Sequence, residues 1–228
     1  NSIAIVPVTQ NVGCLSSHSI QEIGGDLVFL SPDGIRSVAG TSRIGDVELG
    51  SVSRQIQSII STVANGINSF TITSAVLRSK SQYRLFYSTA SGSTVSAKGI
   101  IGTLTANGFE WSETIGIQAT GFASGFEVTG IEKLYHGDNQ GYVYNHNTGN
   151  TFIATGTVFD INAIYQTPNY DFGDIGTRKT LHYAKISITP EGEVQPSLRV
   201  RYDYEDTDIP QPADYVLDSV PLPALFGT

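Results

Sequence analysis

Apolar and polar residues alternate with a period of two along most of the chain, and clusters of Gly, Asp, Asn and Ser interrupt the alternation. This period is typical of β-strands, because successive side chains of a strand point to opposite faces. In the predicted strand 79–87, Tyr83, Leu85 and Tyr87 lie on one face, and Arg84 and Phe86 lie on the other. The other predicted strands are 27–30, 35–38, 95–104, 109–115, 131–135, 142–144 and 151–159. The sequence therefore predicts an all-β fold.

Turn residues and one helical segment complete this pattern. Asp33-Gly34 separates two apolar runs and predicts a hairpin turn, whose two central residues would have positive φ. In residues 52–63 the apolar positions instead share one face at a period of about 3.6, which predicts one short helix. Ser51 or Ser53 is placed to cap its start, and Asn65-Gly66 is placed to end it.

A weak internal repeat groups the strands. Three apolar or aromatic strands, interpreted as the central strands of their units, begin at Leu27, Tyr83 and Tyr142, 56 and 59 residues apart. Each is preceded by a strand and a tight turn and is followed by a turn and a further strand. Repeated antiparallel units favour about three four-stranded blades of a β-propeller over residues 1–166. A two-sheet β-sandwich is the alternative, since it also contains evenly spaced short strands.

Residues 167–228 differ from the repeated part. Two long strands, 181–188 and 195–204, are predicted to form a C-terminal β-hairpin unit. An acidic patch at 203–208 and a Pro-rich tail follow, with Pro210, Pro212, Pro221 and Pro223. Proline at this density suits an extended segment that lies on a neighbour or leads to a further domain.

The number of blades suggests that the sequence is part of a longer protein. Closed propellers have about 4–8 blades, which is more than the three predicted. The chain also begins with Asn1 and contains no Met. We therefore expect further chain, with the missing blades before Asn1.

Charge and cysteine content restrict the possible partners. The chain has 13 Lys+Arg against 21 Asp+Glu, a formal net charge of −8, and Arg178-Lys179 is its only adjacent basic pair. Binding to phosphates needs clustered basic residues, so the composition argues against a protein that grips nucleic acid. It is compatible with an acidic wall that DNA merely passes. The single Cys14 favours assembly in a reducing cell, because it cannot form a disulfide within the chain. No apolar run is long enough to predict a transmembrane helix.

The histidines suggest at most a weak metal site. His136, Asp138 and His146 surround one predicted hairpin, where they could approach each other. No zinc or calcium motif supports such a site, so polar residues at the rim of a hairpin are the favoured interpretation. We expect neither a metal nor a cofactor.

Carbohydrate binding or glycoside cleavage is the alternative function. Cleavage needs two carboxylates across the scissile bond, but their spacing selects no pair here. The available carboxylates are Glu22, Asp26, Glu110, Glu113, Asp160, Asp171 and Asp174. A propeller scaffold for protein interactions is a third hypothesis. No catalytic residue is predicted, and we expect the protein not to be an enzyme.

The residues Asp171-Phe172-Gly173 match the magnesium-binding motif of protein kinases in letters only. Neither a phosphate-binding Gly-rich loop nor a catalytic loop accompanies them. We instead expect Asp171 and Asp174 to cap turns or to pair with Arg178 or Lys179, and Phe172 to pack beneath a loop.

Three stretches, taken in order, are similar to a known family. They are residues 12–15 through 25–37, residues 137–144, and residues 167–174 followed by Arg178-Lys179. Together they resemble the propeller-containing tail tube proteins, hub or nozzle, of short-tailed bacteriophages. The resemblance covers about residues 12–204.

The resemblance implies a structural protein of the virion tail, assembled in the host cytoplasm. Members of this family form a ring, usually of six copies, below the portal and adaptor proteins, and DNA leaves through the ring without specific binding. They have no catalytic residues to carry over. Arg178 and Lys179 would lie at a blade or subunit contact. The residues implied to be architectural are Asp33, Gly34, Gly137, Asp138 and Gly141. Asp171, Phe172, Gly173 and Asp174 belong to the structural motif of the third stretch.

Overall fold

A computed structural model describes residues 12–40, 51–89, 97–154, 156–174, 176–188 and 194–216. The chain divides into two compact units, Asn1–Phe159 and Asp160–Thr228. Most of the regular secondary structure lies in the first unit. Within the described ranges, no helix combines the length and apolar character needed to cross a bilayer.

The first unit consists mainly of small antiparallel sheets. The first sheet has the order β1-β2-β3, the second β4-β5-β6-β7 and the third β10-β9-β8, and β11 and β12 form a separate hairpin. The elements are β1 (Gln21–Ile23), β2 (Asp26–Ser31), β3 (Gly34–Ser37), α1 (Gln57–Asn65), β4 (Phe70–Leu77), β5 (Gln82–Thr89), β6 (Lys98–Thr105), β7 (Gly108–Ile115), β8 (Gly121–Phe126), β9 (Glu132–Gly137), β10 (Val143–Asn145), β11 (Phe152–Ala154) and β12 (Thr157–Phe159). The prediction of a mostly β fold with little helix is confirmed.

The second sheet is covered on both faces. On one face, Tyr83, Leu85 and Tyr87 of β5 pack with apolar residues of the first sheet and of α1. On the other face, Phe86 of β5 stacks on Phe122 of β8, with ring centroids 4.6 Å apart. The predicted division of this strand into two faces is therefore confirmed, and both faces are buried because a sheet lies against each.

The β2–β3 hairpin forms where the sequence predicts it. Ser31 pairs with Gly34, so the turn is centred on Pro32-Asp33 rather than on Asp33-Gly34. The prediction of a turn centred on Asp33-Gly34 with two positive φ angles is wrong, because Pro32 is a central residue and its ring restricts φ to negative values. Gly34 is nevertheless required, since a Cβ atom there would lie 2.0 Å from Ser51 Oγ.

The predicted helix is also confirmed. A 3-10 turn, Arg54–Ile56, leads into α1, whose Ile60 and Val63 are fully buried, and Gly66 caps its end. The expected serine cap is wrong. The Ser53 hydroxyl instead accepts a hydrogen bond of 2.8 Å from the backbone N–H of Ile35.

The repeat differs from the prediction in three details. Among the described residues only the second sheet has four strands, and β9 rather than β10 is central in the third sheet. The predicted strand 151–159 is the hairpin β11–β12, because the chain turns at Gly156, which has a φ of 76°. Most strand positions were thus predicted correctly, and the predicted central strand is wrong only in the third sheet.

The second unit contains little regular structure. The predicted strand 181–188 is not a strand, so the expected hairpin with 195–204 is wrong. Instead, β13 (Ser197–Leu198) pairs with β14 (Tyr215–Val216). Arg199 and Arg201 both contact the Asp214 carboxylate at 2.8 Å, which holds the chain before β14 beside the chain after β13. Pro221 and Pro223 lie outside the described residues.

Candidate functional site

The β2–β3 turn contains an ion pair between a buried arginine and a partly exposed carboxylate. Arg36 has a fully buried side chain and binds both carboxylate oxygens of Asp33, with 3.0 Å between Arg36 Nε and Asp33 Oδ1. The Ser31 hydroxyl also contacts Asp33 Oδ1. Chiefly through the hydrogen bond from Arg36, these contacts hold the pKa of Asp33 below its usual value. The Asp33 carboxylate is thus used to neutralise a buried cation.

Asp138 organises the turn between β9 and β10. One carboxylate oxygen accepts hydrogen bonds from the backbone N–H groups of Gln140, at 2.8 Å, and Tyr142, at 2.9 Å. The other accepts from the Tyr144 hydroxyl at 3.1 Å. Gly137 ends β9, and Gly141 has a φ of 88°, a conformation that glycine adopts readily.

The stretch 171–174 forms two turns in the second unit. Asp171 accepts from the backbone N–H of Gly173, and Asp174 accepts from that of Gly176, both at 2.9 Å. Lys179 Nζ donates to backbone carbonyls at Asp174 and Thr177, and Arg178 is exposed. Both aspartates therefore cap turns.

Phe172 departs from the expectation. Its side chain is 71% exposed, so the prediction that it packs beneath a loop is wrong. Its nearest ring partner is Tyr170, with the centroids 6.0 Å apart. The residue has a φ of 52°, which places it at a left-handed turn position rather than in a packed strand.

His136 and His146 meet between the second and third sheets. His136 Nδ1 lies 2.6 Å from His146 Nε2, and Arg84 Nη1 lies 3.4 Å from His146 Nδ1. His136 is buried and lies between the rings of Phe122 and Tyr144. The interpretation as a polar residue at a hairpin rim is therefore wrong for His136, whereas His146 is a partly buried turn residue after β10.

Electrostatics in this cluster favour neutral imidazoles. Burial lowers the pKa of His136 to about 4, against a smaller opposing effect of Asp138. Burial, with the neighbouring charges of His136 and Arg84, lowers the pKa of His146 to about 3. Burial also lowers the pKa of Arg84. Three groups that could each carry a positive charge thus share one poorly hydrated region.

The space beside His136 is too small for an organic ligand. A cavity of about 10 Å³ is lined by residues that include Gly116, Gln118, His136 and Phe152. This volume corresponds to about one water molecule. Within the part of the chain that the structure describes, no three His, Cys, Asp or Glu side chains are grouped to hold a metal ion.

The carboxylates considered for glycoside cleavage lie on different parts of the structure. Glu22 lies 3.6 Å from Arg78, and Glu113 lies 3.1 Å from Lys98. Asp26 accepts hydrogen bonds from the backbone N–H groups of Leu27 and Ala39. Glu110 faces Thr103 in the β6–β7 register, while Asp160 is an exposed residue of the second unit. The structure thus disperses these carboxylates over several elements.

Sequence reasoning missed three members of the histidine cluster: Arg84, Phe122 and Tyr144. One signal was present for Arg84, which shares a strand face with Phe86. A charged residue within a strand that is apolar on both faces indicates a buried polar contact. The pattern around Phe122, with its flanking glycines and serine, contains no comparable signal.

Comparisons of this chain with protein-family models, curated proteins and solved structures give no match.

Proposed function

We propose that this chain is a structural component of a bacteriophage tail hub or nozzle. In this proposal it forms a homo-oligomeric ring of six copies, which is located in the virion tail and assembled in the host cytoplasm. Adaptor or portal-side proteins are its neighbours. DNA passes through the ring without specific binding, and the protein performs no catalysis.

 The sequence resemblance and the arrangement of the sheets support this proposal.

One observation carries the proposal, the stacking of the three sheets in chain order. The first sheet covers one face of the second in a core cluster that includes Leu30 and Leu85, and the third covers the other face, where Phe122 stacks on Phe86. Blades of a propeller pack face to face in sequence order in the same way. We therefore interpret the three sheets as consecutive blades.

The outer face of the third sheet supports a further neighbour. Tyr135 of β9 and Val143 of β10 are 39% and 73% exposed. Large apolar side chains exposed on a sheet favour burial against another element. In the proposed assembly, a following blade or a neighbouring subunit covers them.

The charge distribution is consistent with a DNA conduit. The net charge of −8 repels phosphate, and several basic side chains of the first unit pair with carboxylates. An acidic wall lowers the affinity for the passing DNA, so the DNA is not held.

The number of subunits tests the proposal. Native mass spectrometry and light scattering are applied to the chain, expressed within the complete reading frame that contains it. We expect a stable ring of six copies, and a monomer at every concentration would contradict the ring. In parallel, double-stranded DNA is titrated at increasing salt. Binding that persists above physiological salt would contradict a passive conduit.

A further inference from the structure

Three basic side chains form a continuous chain of contacts between the second and third sheets. Arg84, on β5, approaches His146 Nδ1, and His146 Nε2 approaches His136 Nδ1 on β9. Only 5% of Arg84 and 7% of His136 is exposed. These contacts join residues that are 62 positions apart in the chain, so they form only when the two sheets are packed together.

The donor and acceptor roles in this chain follow from chemistry. Arginine nitrogens only donate hydrogen bonds, so His146 Nδ1 must be an acceptor. The proton of a neutral His146 is then on Nε2, which donates to His136 Nδ1. A neutral His136 in turn carries its proton on Nε2. Both hydrogen bonds, from Arg84 to His146 and from His146 to His136, can therefore form when both imidazoles are neutral.

Protonation of either histidine disrupts this arrangement. A proton on His146 Nδ1 would point at the Arg84 guanidinium, and a proton on His136 Nδ1 would point at the N–H of His146. Each event replaces a hydrogen bond by two opposed donors. It also places a second positive charge beside a buried arginine.

We propose that the Arg84–His146–His136 chain is an acid-sensitive lock, which holds the third sheet on the second while both histidines are neutral and releases it when they are protonated.

The surroundings offer little compensation for added charge. Gln82 Oε1 accepts from Arg84 at 2.7 Å, and Asn147 Oδ1 lies 3.4 Å from Arg84. Asp138 acts on His136 through its charge, but its carboxylate already accepts three hydrogen bonds. Three aromatic side chains from β5, β8 and β10 also face the histidines, namely Phe86, Phe122 and Tyr144, and the neutral side chain of Gln118 lines the cavity beside His136.

The direction of the pH effect follows from linkage. An unfolded histidine has a pKa near 6.5, and burial lowers the pKa of His136 to about 4 in the folded protein. The unfolded or opened state therefore binds more protons, and stability falls as the pH falls below 6.5. Each histidine changes the opening equilibrium by up to about tenfold per pH unit in this window. Above pH 6.5 the histidines are neutral in both states, and their full contribution to the stability of the folded protein is present.

Hydrogen exchange of the backbone amides measures the lock directly. We expect the opening equilibrium of β8–β10, corrected for intrinsic exchange rates, to rise at least about tenfold from pH 7 to pH 5. The opening equilibrium of the first sheet should change less over the same pH range. A uniform change across the first and third sheets would overturn the proposal.

A variant with two substitutions, His136→Phe and His146→Gln, removes the titrating groups. Phenylalanine keeps the ring stack, and the glutamine oxygen can still accept from Arg84. We expect this variant to lose the selective pH response of β8–β10. His18→Gln and His182→Gln, at exposed positions, are the matched controls and should retain it. A pH response that is unchanged in the double variant would overturn the proposal.

Imidazole NMR of the unmodified chain decides the question if the double variant fails to fold. We expect proton signals on His146 Nε2 and His136 Nε2, and both rings neutral at pH 5. Titration of either ring near pH 6.5, or the opposite tautomers, would overturn the proposal.

Discussion

At the residue scale, Arg36 and Arg84 are both buried in the described part of the first unit and are stabilised in different ways. Arg36 has a carboxylate partner, Asp33, whereas the contacts of Arg84 are with Gln82, Asn147 and a histidine. Among the described residues no ion pair joins Arg84 to a carboxylate, and a buried guanidinium in such a site raises the cost of any further positive charge nearby. Arg36 therefore holds the β2–β3 turn through its carboxylate partner, whereas the proposed sensitivity to protonation is expected around Arg84.

The ion pair gives a prediction for Asp33→Ala. The substitution leaves the buried Arg36 guanidinium without its carboxylate, and we expect the free energy of unfolding to fall by about 3 kcal/mol. Urea denaturation at pH 7 measures this. Asp160→Ala, at an exposed position, is the control and should change stability by less than about 0.5 kcal/mol. Equal stability of the two variants would contradict a structural role for the pair.

At the element scale, glycines of β6 accommodate aromatic rings of the neighbouring strands. Gly99 pairs with Phe86, and Gly102 pairs with Trp111. A Cβ atom at either glycine would lie 2.6 Å from the paired ring. Trp111 is also held by a hydrogen bond of 2.9 Å from its indole N–H to the Val52 carbonyl. The small residues of β6 thus allow the rings to lie across the strand.

This packing gives a prediction for Gly102→Ala. The added methyl group forces the Trp111 ring to move, and overpacking of this kind costs about 1–3 kcal/mol. Because Trp111 is the single tryptophan, its fluorescence emission should shift as well. Gly121→Ala in β8, where no atom lies within 4 Å of the added Cβ, is the matched control. If both variants behave alike, the ring does not lie against Gly102.

At the scale of the whole molecule, burial differs sharply between the two units. The buried residues among those described all belong to the first unit. Residues 160–174 and 176–188 are exposed throughout and contain neither helix nor strand. Exposed chain without hydrogen-bonded structure is the preferred substrate of proteases.

Limited proteolysis tests this division. In the native monomer, we expect trypsin to cleave first after Arg178, Lys179 or Lys185, while Arg36 and Arg84 stay protected by burial. Mass spectrometry of early fragments identifies the sites, and the urea-unfolded chain shows that every site can be cut. First cleavage within the three sheets would contradict the division. Protection of 176–188 in an oligomer alone would show that a neighbour covers it.

The sequence by itself determined the class of most elements, because strand and helix periodicity reflect which side chains are buried. Periodicity predicted the two faces of 79–87 and the helix before Gly66, and a cluster of turn residues predicted the turn at Asp138. Periodicity does not specify the partner of a strand. The pattern of 181–188 is that of a strand, yet a strand also needs a hydrogen-bonding neighbour, and β13 pairs with β14 instead.

Only the tertiary structure decided the environment of the histidines. His136 and His146 lie near each other in the sequence, but Arg84 reaches them only because the third sheet packs on the second. That packing removes water from all three side chains, which lowers the pKa of both histidines. The residue types were visible in the sequence, whereas their charge state depends on burial, which arises only when distant parts of the chain come together.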